Sequence, residues 1–176
     1  DARAFRNALL VEQPNGDYAH TLVRQFLFDA WHLPMLKALS ASSEQRFSEI
    51  AQKSVKESAY HLERSTDLVI RLGDGNDESR IRMQSALLDL WPFAGELKAP
   101  DALDTALHED GVAPDFIEIT RAWSAHVMPA LTEATLAPPV DAPVRKGGKS
   151  GLHSEELGYI LAEMQFLQRA YPGGQW

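Results

Sequence analysis

Cysteine is absent from this 176-residue chain. That excludes disulfides, thiolate metal sites and cysteine nucleophiles, and it is compatible with a reducing compartment, so the cytoplasm is the expected location. Basic residues are scarce: 17 Lys and Arg stand against 25 Asp and Glu, for a net charge of −8. Nucleic-acid binding needs a basic footprint that such a chain lacks. No apolar run approaches the roughly 20 residues of a membrane span, and the opening Asp1-Ala2-Arg3 begins no apolar signal-peptide core. Neither a Gly-x-Ser-x-Gly elbow nor a dinucleotide fingerprint occurs.

What the chain does have is a hydrophobic content of 44%, ordinary for a globule that buries a core in one domain over residues 1–176, and helical periodicity. Residues 3–12 read as a short helix closed by the turn Gln13-Pro14-Asn15-Gly16. Asp17 is placed to cap a second helix from Tyr18 to about Leu39, with Leu22, Phe26, Ala30 and Leu33 on one stripe, widened by Phe28 and Trp31, and a kink or restart at Pro34. Ser42 or Ser43 is expected to cap a long helix to Gly73. Its first stripe is Phe47, Ala51, Val55, Leu62 and Val69, and Ile50 and Leu68 fall on a second one, which predicts coverage on two sides. Gly73 and Gly75 suit a turn with positive φ.

Asp77 is read as the cap of a helix carrying Ile81, Leu87, Leu88 and Trp91, with Pro92 near its end. A short acidic helix follows over residues 101–110 before Gly111. Pro114 opens a helix to about Leu136, with Trp123, Val127 and Leu131 inside and a bend at Pro129. Residues 137–151 form a loop, and the last helix spans Leu152 to Ala170. No strand or repeat stands out, so the fold class is all-α with roughly six helices.

The residues with chemical potential sit on these helices. Carboxylate-bridged di-metal bundles use Glu-x-x-His on two helices and a lone Glu on two others, all pointing inward. No Glu-x-x-His occurs in this sequence. His61 stands where such a motif places its histidine, but three residues earlier is Ser58, whose neutral hydroxyl supplies no compensating charge. Glu57 shares a helix face with His61 at four-residue spacing, which suits a polar pair in a buried bundle or a vestige of a metal site. Asp17 and His20 share the three-residue spacing at a helix start, where Asp caps by default. Asp29 and His32 share it on a core helix and read as a hydrogen-bonded pair or as two vestigial ligands.

Glu163, in the column of Glu156 and among Tyr159, Ile160, Phe166 and Leu167, is expected to point inward. It would meet a cation from another helix or subunit, or act as a lone bundle carboxylate. Gly147-Gly148-Lys149-Ser150-Gly151 is a poor phosphate loop, because the position of its first glycine is Pro143 and no strand precedes it. Arg145, Lys146 and Lys149 are nonetheless a concentration of positive charge ahead of a helix, suited to an anion or an acidic partner, or a mobile solvated loop.

Three stretches resemble one family. They are Leu9-Leu10-Val11-Glu12-Gln13-Pro14-Asn15-Gly16-Asp17 with Arg24-Gln25-Phe26 and Asp29-Ala30-Trp31-His32; Tyr60-His61-Leu62 with Arg71-Leu72-Gly73 and Leu90-Trp91; and Gly147-Gly148-Lys149, Gly151-Leu152-His153, Leu161-Ala162-Glu163-Met164-Gln165, Leu167-Gln168-Arg169 and Gln175-Trp176. The chain resembles the C subunits of bacterial phenylacetyl-CoA epoxidases, the ring-1,2 monooxygenases of phenylacetate breakdown.

The resemblance implies a ferritin-like helical bundle. In that family the C subunit starts further upstream, so the first bundle helix is expected to be missing here and to leave an exposed groove. It also implies a non-catalytic structural role. The paralogous catalytic A subunit carries Lys-Glu-Glu-Ser-Phe-His in the helix corresponding to Lys56-Glu57-Ser58-Ala59-Tyr60-His61, and its second Glu and its His bind iron. This chain keeps His61 and has Ser58 in place of the Glu. The implied partner is the A subunit, in a tight heterodimer that assembles further, with a small B subunit and a reductase completing the system. The di-iron centre and phenylacetyl-CoA would belong to the A subunit, and this chain would carry no cofactor. An obligate pair needs an apolar interface on the order of 2,000 Å², for which Trp91, Phe93, Trp123, Tyr171 and Trp176 are candidates, as they are for the core. Two other readings are a catalytic di-metal protein with a degenerate site of Asp29, His32, Glu57, His61 and Glu163, and a free-standing helical adaptor.

Overall fold

The computed structural model describes residues 4–175, and every regular element among them is helical. The expected helix over 3–12 reduces to a 3-10 turn, Leu9–Glu12, preceded by irregular backbone at residues 5–8; residue 3 of that expectation lies outside the described residues. Seven α-helices follow among the described residues: α1 Tyr18–Leu39, α2 Gln45–Gly73, α3 Asp77–Leu97, α4 Ala102–Glu109, α5 Phe116–Glu133, α6 Glu155–Met164 and α7 Phe166–Ala170. The all-α class holds, and the arrangement is that of a ferritin-like helical bundle. No helix among the described residues is long and apolar enough to cross a membrane.

Several boundaries follow capping chemistry. Asp17 caps α1 by accepting the His20 amide, and Asp101 and Asp104 form a reciprocal capping box on α4. The cap of α2 is Glu44, not Ser42 or Ser43. Those serines instead tie the α1–α2 turn to residues 110–112: Ser42 Oγ donates to the Val112 carbonyl, and the Ser43 amide to that of Gly111. Asn76 rather than Asp77 caps α3. Pro34, Pro92 and Pro129 all sit inside continuous helices. The expected last helix is broken at Gln165 into α6 and α7.

The centre of the bundle is α1, which packs most extensively on α2 and also on α3 and α5. Its buried face includes Leu22, Phe26, Ala30 and Leu33, as the stripe predicts. Trp123 of α5 is fully buried and fixes the α1–α5 contact, its Nε1 donating to the Leu27 carbonyl at 3.0 Å. Burying a side chain of that size is the dominant kind of favourable term in such a core.

The α2 helix departs from expectation. Its buried residues are Ala51, Ser58, Leu62, Ser65, Val69 and Gly73, a face rich in small side chains that lets neighbouring helices approach closely. Gly73 has ordinary negative φ; a Cβ there would strike the Ala134 carbonyl, so glycine is required for close approach rather than for conformation. Phe47 of the first stripe and Ile50 of the second are exposed, whereas Leu68 of the second stripe packs partly buried against the core.

Candidate functional site

Asp29 lies on the buried face of α1, three residues after Phe26 and four before Leu33, and is 2% exposed. Ser65 meets it from α2, placed there by the same spacing relative to Leu62 and Val69. Gln25 Nε2 donates to Asp29 Oδ1 at 2.6 Å, and Ser65 Oγ reaches Asp29 Oδ2 at 3.0 Å. Burial pushes the Asp29 carboxyl above its usual range, against the opposing effect of those two donors. The carboxyl opens on a cleft of about 390 Å³ between α1 and α2 that His61, Tyr60 and Arg64 also line.

This arrangement corrects several expectations. Asp29 and His32 are not a hydrogen-bonded pair; the Asp29 oxygens accept Gln25 and Ser65 instead. His32 lies among Phe28 and Trp31, and burial lowers its pKa while the nearby Asp29 charge opposes the change. His61 and Glu57 do pair, with Nε2 to Oε1 at 3.8 Å, but the side chains are 48% and 77% exposed, on the outer surface rather than in a buried bundle. Glu163 is exposed on α6 and faces no core, as are its neighbours Tyr159, Met164 and Phe166. The fold therefore brings Asp29, His32 and His61 within range of one another's charge, with Asp29 and His61 but not His32 lining the cleft, leaves Glu57 on the outside and keeps Glu163 apart. Among the described residues no three His, Asp or Glu side chains converge to hold a metal ion.

Two other buried carboxylates, Glu12 and Glu96, join segments far apart in the chain. Glu12 accepts Asn7 Nδ2 at 2.7 Å and His153 Nδ1 at 2.5 Å on one oxygen, and the Ser154 amide and hydroxyl, both at 2.8 Å, on the other. Burial would raise its pKa, but the bonds from His153, Ser154 and Asn7 outweigh that and the carboxylate is held below its usual range. Glu96 Oε2 accepts the Leu9 amide at 2.7 Å, and its Oε1 the Gly147 amide at 2.7 Å.

The glycine-rich loop thus already cradles an anion, and that anion is internal. Gly148 is buried against the Asn7 carbonyl with no room for a Cβ. Lys149 Nζ binds Asp104 at 2.5 Å and the Ala99 carbonyl at 3.1 Å. Arg145 donates its amide to the Pro92 carbonyl at 2.8 Å and lays its guanidinium over Phe93. Lys146 is exposed. These contacts tie the segment 145–151 to the body of the bundle, with Arg145, Lys146 and Ser150 exposed. Glu12 and Glu96 were missed in the sequence because their partners lie far along the chain; the available signal is an acid set within apolar runs, Leu9-Leu10-Val11-Glu12 and Phe93-Ala94-Gly95-Glu96-Leu97.

Comparison with known proteins places this geometry. The family described as phenylacetic acid catabolic protein matches residues 1–176. The chain is also 47% identical over 176 residues to the C subunit of the 1,2-phenylacetyl-CoA epoxidase of Escherichia coli (strain K12), a match that covers 100% of this chain and 71% of that protein. The chain belongs to the phenylacetic acid catabolic protein family.

In this member of the family the stretches that carry the resemblance meet in space. Glu12 of the first grips His153 of the third, and Glu96 joins Leu9 to Gly147. The second stretch faces Asp29 across the α1–α2 cleft through Tyr60 and His61. Of the aromatic side chains named as interface candidates, Trp123 and Phe93 are core, Trp91 is half-buried against Trp123, Tyr171 is exposed, and Trp176 lies outside the described residues.

Proposed function

We propose that this chain is the non-catalytic structural subunit of a phenylacetyl-CoA 1,2-epoxidase, acting in the cytoplasm in aerobic phenylacetate breakdown. The observation that carries the reading is the match to an epoxidase C subunit along the whole of this chain. In this reading it pairs with a catalytic A subunit in a tight heterodimer that assembles further, with a B subunit and a reductase as the remaining components. The di-iron centre and phenylacetyl-CoA belong to the A subunit.

The side chains here do not fit a pair of iron ions. Such a centre needs several inward carboxylates and histidines. The buried positions of α2 offer Ser58 and Ser65, the buried Asp29 is held by Gln25 and Ser65, and His61 turns to exposed Glu57. No catalytic step is assigned to this chain. The exposed apolar residues Tyr159, Met164, Phe166 and Leu167 on α6 and α7 support an assembly role, since aromatic and methionine side chains are enriched in interface cores.

Co-expression with the catalytic subunit, followed by native mass and iron analysis of each chain, tests the reading. A stable heteromer with iron confined to the partner is expected. Iron bound stoichiometrically by this chain alone, or no association, refutes it. Ser58→Glu is expected not to recruit iron, because the remaining ligands are still absent; near two irons per chain in that variant contradicts the reading.

A further inference from the structure

Lys98, at the C-terminal end of α3, lines a cleft of about 390 Å³ that continues along α4 and the start of α5. The other titratable groups along this cleft all have partners. Asp104 holds Lys149, Asp115 caps α5 through the Ile117 amide at 2.8 Å, and His108 Nδ1 lies 3.3 Å from the Ala113 carbonyl. Lys98 has no carboxylate or hydrogen-bond partner among the described residues. Its Nζ sits 3.5 Å from the centre of a Trp123 ring, and Phe116 and Ile117 provide apolar wall beside it. A desolvated ammonium without a counter-ion gives up its proton readily, and burial brings Lys98 down to about 8. The Trp123 face, which attracts the cation, works against this.

We propose that Lys98 is a covalent modification site that takes acyl groups from thioesters, with the acyl group lodged in the adjoining apolar cleft. The lone pair of the neutral amine attacks the thioester carbonyl carbon. The carbon–sulfur bond breaks, the thiol leaves with the proton released by the nitrogen, and an amide remains on Nζ with no change in oxidation state. The exchange replaces a desolvated charge by a neutral group, which the site favours. This nucleophile stands apart from the subunit assignment; only the choice of a phenylacetyl thioester as one probe rests on that reading.

The test treats the intact chain with acetyl-CoA and, separately, with phenylacetyl-CoA at mildly alkaline pH, and maps adducts by peptide mass. The exposed Lys53 and Lys56 serve as internal references. Against an ordinary lysine near 10.4, Lys98 holds on the order of 100-fold more neutral amine near its own midpoint, partly offset by lower basicity, so it is expected to acylate about tenfold faster. In concentrated urea, where desolvation is lost, the preference disappears. Labelling of Lys98 no faster than Lys53 and Lys56 with both thioesters, or a preference that survives urea, overturns the site. Neither of those results touches the subunit assignment, which co-purification decides.

Discussion

Asp29 and Glu12 are both carboxylates shut away from solvent, at 2% and 1% exposure, yet the fold treats them in opposite ways. Asp29 has two donors, both neutral, and burial wins: its pKa rises. Glu12 has four, one of them a histidine, and the donors win: its pKa falls. Low exposure alone does not set charge: Glu12 has more donors to its ionised form and is less deeply packed than Asp29. The consequence is a division of labour. Glu12 ties the N-terminal turn to the start of α6, whereas Asp29 is a tolerated polar group beside a cleft.

The largest effect is expected from Glu12→Gln. Whichever way the amide turns, its NH₂ faces an obligate donor that had an acceptor, the Asn7 side-chain amide or the Ser154 backbone amide, so the variant loses about 3 kcal/mol in urea unfolding at neutral pH. The sign with pH follows from the lowered pKa. Glu12 contributes its full stabilisation above the ordinary value of 4.5 and loses it as pH falls through the depressed folded value. The wild type and Glu12→Gln therefore converge in strong acid; a constant difference across that range breaks the comparison.

Which of these features the sequence reveals depends on how local their causes are. The start of α1 is legible because Asp17 caps it and a Pro-Asn-Gly turn precedes it within a few residues. The α2 helix is legible in length but only partly in orientation: Phe47 of the expected first stripe and Ile50 of the second are exposed, while Ser58 and Ser65, polar by type, sit in the helix seam. Pro34, read as a kink or a restart, begins no new helix, and Pro92, near the end of α3, and Pro129, read as a bend, likewise lie within continuous helices. The carboxylate sockets show in the sequence only as acids within apolar runs, without their partners, since Glu96 meets Leu9 across 87 positions and Glu12 meets Ser154 across 142. Nothing in the periodicity of either segment encodes those pairings. The metal-like pattern around His61 is legible as a pattern, but only the fold shows that its Glu57 partner faces outward.

Ser65→Ala sharpens the contrast from the other side. It removes one of the two donors to Asp29 and is expected to cost about 1 kcal/mol at neutral pH. It should also raise the Asp29 carboxyl further, which a carboxyl-selective NMR titration reads directly. A downward shift would show that Ser65 accepts from Asp29 rather than donating to it.

Asp29→Asn is expected to have the opposite sign to Glu12→Gln. Because the folded pKa of Asp29 is raised, the unfolded chain releases this proton more readily, so the residue costs stability as pH rises through its ordinary 3.8 and costs nothing in strong acid. Asn keeps an acceptor for Ser65 or Gln25, and its amide reaches the cleft. The variant should be unchanged or up to about 1 kcal/mol more stable at neutral pH, with the gain vanishing in acid. A loss comparable to that of Glu12→Gln would mean that Asp29 is held ionised and the two carboxylates are alike.

The smallest effect belongs to Glu163→Leu, the carboxylate that the helix pattern places inward and the fold leaves exposed. Surface substitutions away from caps and pairs stay within about 0.5 kcal/mol, so the unfolding midpoint of the chain alone should not move. Its exposed neighbours Tyr159, Met164 and Phe166 make a face that a partner subunit would cover. Any effect should therefore appear as altered recovery of the catalytic subunit in co-purification. A shift in the isolated chain as large as that of Ser65→Ala would place Glu163 in the class of buried carboxylates after all, with α6 packed differently against the bundle.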